Sequence, residues 1–367
     1  MSEEDRAPKR SRLIEEPTLS SSAANENDAD AAGGTQSEND PPPSGPPSAR
    51  ENRDTTPEED GREIGFDDLP DEVRKNIFGR LDVKTLCLKR EVSPEWKREC
   101  EQAIEDKKED GAGVFTTNKD LCKATKKHYQ CKYEKYTIAL AEEVAVKFGW
   151  FIGKWNVSAV TDFSYVFEWQ EKFNDYIGDW NVGNGTKFYC MFSSAISFNQ
   201  DLSNWNMANA RRIGCMFFGA KSFNGNISRW NTANVEDATQ LFSSAPAFNQ
   251  DISGWILSKC KKMSAMFHNA IAFNQDLSEW DTSTVDDMFG MFARAASFNQ
   301  DLSKWDVSNA RNRMTCMFLA TKMSRVKISS WERWTKVLTQ EEIDEMFLDP
   351  RTLPPTERQD FILGRRN

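Results

Sequence analysis

FNQDLSKW, residues 298–305, is one copy of a unit that keeps returning from residue 148 onward. Trp stands at 155, 180, 205, 230, 255, 280 and 305, and Phe at 148, 173, 198, 223, 248, 273 and 298, each series stepping by 25. A fixed period in this range marks a solenoid or a related repeat array, so it decides the fold before any local pattern is read.

Aligned on Trp, the copies carry Phe163, Phe188, Ile213, Ala238, Met263 and Met288 eight places on. Eleven and twelve places on stand Val166-Phe167, Met191-Phe192, Met216-Phe217, Leu241-Phe242, Met266-Phe267 and Met291-Phe292, and fifteen places on a small Ala, from Ala195 to Ala295. Steps of three, one and three make an i, i+3, i+4, i+7 stripe, which predicts a short helix with one buried face. The other half, DLSxW, is too short for a helix and reads as a short strand, one per rung, stacked in a parallel ladder. At about 4.8 Å per rung the ladder would run roughly 30 Å. Leu302 and Trp305 are three apart, so the strand must bend at a place the sequence does not mark. The expectation is an α/β solenoid of 25-residue repeats, with a short parallel strand and a short helix in each rung.

Outside the array the chain divides by composition. Residues 1–62 are rich in Pro, Ser and acidic residues, and no aromatic precedes Phe66, so a disordered tail is expected. Its basic run Lys9, Arg10, Arg12 reads as a solvated charge cluster before a nuclear-import signal. Residues 63–110 predict a small all-α module. Asp68 or Asp71 is placed to cap a helix carrying Val73, Ile77 and Leu81, and Ser93-Pro94 to start one carrying Trp96, Cys100 and Ile104. Residues 111–147 form a helical linker and N-terminal cap, and residues 332–367 a C-terminal cap helix and tail, with Thr339 and Glu342 as its capping box.

The net charge of −10 disfavours nucleic acid and anionic membranes as partners, and no apolar run is long enough to span a bilayer. The first residues lack the apolar core of a secretory signal, and the eight Cys form no CxxC pair, which together point to a reducing compartment, cytoplasmic or nuclear.

The motif in residues 63–110 resembles an F-box: Leu69, Pro70, Asp71, Glu72 and Val73, then Ile77-Phe78, Leu81-Asp82, Thr85-Leu86, and Val92 to Trp96. Ser93-Pro94 departs from a pattern that often has Cys there. The resemblance implies docking of a Skp-type adaptor of a cullin ubiquitin ligase, with Leu69, Pro70, Val73, Ile77 and Leu81 on or supporting the adaptor face and Trp96 in the module's core. The 25-residue unit resembles the BspA-like repeats, relatives of leucine-rich repeats, over residues 148–331. Together they imply a substrate-recognition subunit whose solenoid holds a protein target, a monomer within a larger complex. The alternatives are a non-catalytic scaffold whose helical module only caps the array, or a surface adhesion-type repeat protein.

No phosphate loop or nucleophile elbow occurs, so no enzyme, cofactor or metal is expected. The Phe and Trp columns read as core rather than as a ligand stripe. The Asn column, Asn174 to Asn299, reads as a ladder satisfying turn backbone, and the Asp column at 201, 251, 276 and 301 is broken by Tyr176 and Asn226, which weakens a calcium reading. Cys190 and Cys215 share a phase and read as buried thiols, and His268 as a surface residue. Paired charges such as Arg211-Arg212 and Glu236-Asp237 alternate in sign from rung to rung and predict cross-rung pairing. The position before Trp shows no such order, and its residues Lys154, Asp179, Asn204, Arg229, Glu279 and Lys304 are the expected target-binding surface.

Overall fold

The computed structural model describes residues 68–89, 92–108, 113–134 and 138–352; the tail expected over residues 1–62 lies outside them. Three helices come first: α1 (Asp71–Arg80), α2 (Val83–Lys89) and α3 (Pro94–Glu105). Pro70 sits at the N-cap of α1 without a side-chain cap bond, so neither expected aspartate caps it, while Ser93 does cap α3 by accepting from the Trp96 amide at 3.2 Å. Their core gathers Phe78, Val83, Leu86, Cys100 and Ile104, and Trp96 meets Phe78 edge-on at 5.4 Å. Then come α4 (Asn118–Tyr133) and α5 (Ile138–Phe148). The three-helix module packs on α5, sharing a core with Ala145 and Trp150, and the buried Glu105 carboxylate of α3 accepts from the Phe151 amide at 2.9 Å. Phe148 lies in α5, stacked on Phe115 at 4.0 Å, and is not the first member of the array's Phe column.

The array corrects the expected α/β solenoid. Between residues 155 and 310 there is neither a strand nor a helix, and successive rungs share only single parallel bridges, along Asp162, Lys187, Arg212, Asp237, Lys262 and Asp287. The reason lies in where the amides go. Phe188, Cys190, Phe192 and Ser194 donate to the carbonyls of Arg212, Gly214, Met216 and Phe218 in the next rung, at 2.7–3.1 Å. The residues between them, Met191, Ser193 and Ala195, donate three places back within their own rung. A helix needs every amide to bond along its own axis; here alternate amides are diverted to the neighbouring rung. The diversion requires a left-handed residue ten and fourteen places after each Trp. These are Tyr165 and Trp169, Cys190 and Ser194, Cys215 and Gly219, Gln240 and Ser244, Ala265 and Asn269, Gly290 and Arg294.

The DLSxW half is spent on two turns rather than a strand. The Asp301 carboxylate accepts from the Ser303 amide at 2.9 Å, and the Trp305 amide donates to Leu302 at 3.0 Å. That turn is the bend that brings Leu302 and Trp305 inward together, both fully buried. Each Trp indole then donates to the previous rung: Trp255 to Ile227, Trp280 to Ile252, Trp305 to Leu277, at 2.8–3.2 Å. Phe rings stack from rung to rung, as Phe223 on Phe248 at 6.0 Å, and within a rung, as Phe242 on Phe248 at 3.7 Å. Asn199, Asn224, Asn249, Asn274 and Asn299 each donate a backbone amide to the preceding Asn side chain at 2.8–3.0 Å, an exposed ladder.

Both ends are closed by helices. One face of α4 supplies donors to the first rung: Asn118 to the carbonyls of Asp162 and Ser164 at 3.0 and 2.8 Å, and Thr125 to that of Val166 at 2.7 Å. At the far end come α6 (Arg325–Ser329), α7 (Glu332–Thr335) and α8 (Gln340–Glu345), the last begun by the Thr339–Glu342 capping box. The Cys316 and Phe318 amides donate to the carbonyls of Glu345 and Met346 at its C-terminus, at 3.0 and 2.9 Å. The inserted residue before Cys316 is carried through the turn, so Ala320 takes the exposed left-handed position rather than the buried place of the other alanines.

Trp255 is 3% exposed, stacked between Trp230 and Trp280, and also holds an interrung hydrogen bond. Trp255→Ala is expected to lower stability by about 3–5 kcal/mol, measured by urea unfolding. The left-handed columns make a second expectation. A β-carbon on Gly290 would meet only the Ala293 methyl at 3.9 Å, so Gly290→Ala tests the backbone alone and should cost about 1 kcal/mol or more. Ala265→Gly, at φ 51°, should be neutral or stabilising.

Candidate functional site

Two surfaces carry the residues singled out by sequence, and a third was not legible there. The first is the outer face of α1. Phe78 alone is buried along this helix, while Val73 and Ile77, one turn apart, are 43% and 37% exposed. With Glu72, Asn76 and Arg80 they line a shallow groove of about 330 Å³. Pro70 is exposed at the head of the helix and Leu69 is half-buried beside it. Leu81 turns the other way and packs against the module's core, so of the five named residues it supports the face rather than lying on it.

The second surface is the position before Trp. All six of its named residues are exposed. Several already have partners: Lys304 is paired with Glu279, Asp179 accepts from the Tyr176 hydroxyl at 3.0 Å, and the Lys154 ammonium lies 4.9 Å from the centre of the Phe151 ring. Asn204 and Arg229 stand between them on the same edge.

The third surface lies over the early rungs, a groove of about 650 Å³. Tyr165 and Tyr189 form one end, 48% and 39% exposed, with rings edge to face at 5.7 Å. They fall at different places in their repeats, ten and nine after Trp, so column alignment does not pair them. The usable signal was that Tyr165 stands in a column otherwise holding smaller side chains such as Cys215 and Gly290, whereas the column of Tyr189 also holds Phe289. The floor carries the alternating charges. Arg211 pairs with Glu236 at 2.8 Å and Lys187 with Asp162 at 3.5 Å, as the cross-rung pairing predicts, but Arg212, Lys261 and Lys262 form no such pair among the described residues. The aspartates also accept backbone amides two residues on, Asp162 from Ser164 at 2.9 Å and Asp237 from Thr239 at 3.0 Å.

The remaining chemistry-bearing side chains are structural. The carboxylates of Asp201, Asp251, Asp276 and Asp301 each accept the amide two residues on, at 2.8–2.9 Å, and Asn226 does the same for Ser228 at 3.0 Å. The column is therefore a turn former that Asn can replace. Among the described residues no group of three His, Cys, Asp or Glu is placed to hold a metal ion, and no helix is long and apolar enough to cross a membrane. His268 is half-buried rather than a surface residue, with Nδ1 3.5 Å from the Ser243 hydroxyl, and burial lowers its pKa, aided by Arg294.

Cys190 and Cys215 are free, buried thiols in adjacent rungs; the Cys215 thiol donates to the Gln240 side chain at 3.4 Å. Their shared hydrogen bond and burial push the Cys190 thiol up. Burial alone dominates elsewhere, raising Cys122 to about 11 and Cys260 and Cys316 to about 12 from an ordinary 9.0.

Residues 139–255 and 240–353 match the family described as Mycoplasma protein of unknown function, DUF285, spans that together cover more than half of the chain. No curated protein and no solved structure matches it.

The raised thiols give a signed pH dependence. Unfolded, these cysteines ionise near 9.0; folded, Cys260 stays protonated to about 12, so its contribution is intact below pH 9 and is lost as pH rises between those values. The urea midpoint should fall from about pH 8.5 to about pH 10.5, and Cys260→Ala should flatten that fall relative to wild type.

Proposed function

We propose that this chain, which belongs to the DUF285 family, is a non-catalytic substrate receptor of a Skp–cullin–F-box type ubiquitin ligase. The helical module docks the adaptor and the array holds a protein target. The receptor would act by effective concentration, holding target lysines near a separately bound conjugating enzyme. The observation that carries this reading is the pair Val73 and Ile77, left in water on a helix whose neighbouring Phe78 is fully buried. An apolar stripe at helical spacing on an otherwise polar face is the feature that helix-in-groove recognition uses. The same reading places Pro70 at the rim of the contact and Leu81 behind it. On the array, the target would meet the exposed positions before Trp, of which Asn204 and Arg229 lie among the self-paired ones.

A second reading has its own support. Because α2 and α3 pack on α5 and Glu105 holds the Phe151 amide, the module also serves as an extension of the N-terminal cap. As a pure cap it would leave Val73 and Ile77 without a partner. The two readings part on one titration. Val73→Asp/Ile77→Asp changes only exposed side chains, so unfolding should shift by no more than about 0.5 kcal/mol. Binding of a purified Skp-type adaptor, followed by isothermal calorimetry, should weaken at least about 100-fold, since two desolvated apolar anchors are replaced by charges. A wild-type chain that binds no adaptor at micromolar concentration removes the ligase reading and leaves the cap.

A further inference from the structure

The groove at Tyr165 and Tyr189 sits on a chain of net charge −10, yet presents the opposite sign. Its acids are drawn in: Asp162, Glu236 and Asp237 are half-buried, and Asp162 and Asp237 are bound to backbone amides. Its bases are left out. Arg212, Lys261 and Lys262 are exposed and, among the described residues, have no ion-pair or side-chain hydrogen-bond partner. Three unpaired cations therefore follow an exposed pair of tyrosines along one groove.

The spacing narrows what fits. Arg212 and Lys262 are two rungs apart in the bridged column, roughly 9.6 Å at about 4.8 Å per rung. A polyproline-II segment returns to the same face every three residues, about 9.3 Å along its axis. Such segments also seat their prolines on aromatic-lined grooves. A nucleic-acid backbone fits less well, because it is anionic throughout and would meet Glu236 and Asp237 between the cations.

We propose that this groove binds an acidic, proline-containing segment of a partner protein in polyproline-II conformation, with carboxylates three residues apart on Arg212 and Lys262 and prolines against Tyr165 and Tyr189. The occupant deepens the receptor reading by giving the array's target a chemistry. It rests on the array being the target-binding part and does not depend on the α1 face.

The test is fluorescence anisotropy with the full-length protein and a labelled 12-residue peptide built on a proline frame with Glu at every third position. Peptides with Gln or Lys at those positions, and a single-stranded oligonucleotide, are the comparison probes. The Glu peptide should bind, and the Gln peptide should bind at least about tenfold more weakly. Arg212→Glu/Lys262→Glu should weaken the Glu peptide at least about tenfold, and Tyr189→Ala about threefold or more. Lys221→Glu/Lys322→Glu, at exposed positions outside both the groove and the edge before Trp, should change it less than about twofold. Equal binding of the Glu and Gln peptides, tighter binding of the oligonucleotide, or equal losses in both charge-reversal variants would overturn the proposal. Matching thermal melts establish that the variants are folded. A wild-type chain that binds the peptide but no adaptor fails the ligase reading alone, and one that binds the adaptor but not the peptide fails this proposal alone.

Discussion

Every regular rung hands its alternate amides to the next rung and receives them from the one before. Other groups donate backward, as the Glu236 amide, the Trp indoles and the Asn ladder do, but in the Met-Phe half the donation runs only forward and gives that part of the array a chemical polarity. Its first rung has carbonyls with no donor, and its last has amides with no acceptor. Buried backbone groups must be paired, so neither end can be left as a bare rung. The two caps differ because the two deficits differ. At the start, α4 lays Asn118, Cys122 and Thr125, an i, i+4, i+7 row, against the orphan carbonyls of residues 162, 164 and 166. At the end, α8 offers the carbonyls that any helix leaves free at its C-terminus. A helix's side donors close one end, and a helix's terminal acceptors close the other.

The same donation sets the cost of each rung. Diverting amides places two residues per rung in the left-handed region, and only at 219 and 290 is the residue Gly. Elsewhere residues as large as Trp169 and Arg294 adopt it, at roughly 1–2 kcal/mol each. What offsets this is the interior: per rung, two stacked Phe, a Trp that both packs and donates, and a Leu or Ile, all closed to water. The repeat is aromatic because its backbone is strained, and its aromatics stack in register because the ladder fixes the rung spacing.

Within the array the buried columns were legible in the sequence, although His268 is less exposed than expected, and the secondary structure was not. Positions 8, 11, 12 and 15 after Trp are inside, as Phe188, Met191, Phe192 and Ala195 show. A series of tight turns, however, turns the same residues inward as one face of a helix would, so a 3-1-3 spacing does not separate them. Left-handed residues would have separated them, but most of these columns lack the Gly that signals such a conformation. The α1 face was legible because helical spacing names its stripe, although only packing shows that Leu81 leaves it for the core. The tyrosine groove was hidden because its two aromatics occupy different columns and meet only across a rung boundary.

The groove also shows why net charge misleads about local surface in such a repeat. An Asp in the bridged column is short enough to accept an amide two residues on, as Asp162, Asp237 and Asp287 all do. The turn holds the carboxylate against the backbone and takes its charge out of the outer layer. Lys or Arg in the same column has no backbone role and extends into water. A column of alternating sign is therefore neutral on paper and cationic at its outer surface. Exposed long-range charge is what a passing ligand meets first. In this column the acidic chain therefore presents a basic ridge, although turn-forming acids elsewhere on the rungs, such as Asp251, stay exposed, and recognition of an anionic segment there follows from the geometry of the rung rather than from the balance of the sequence.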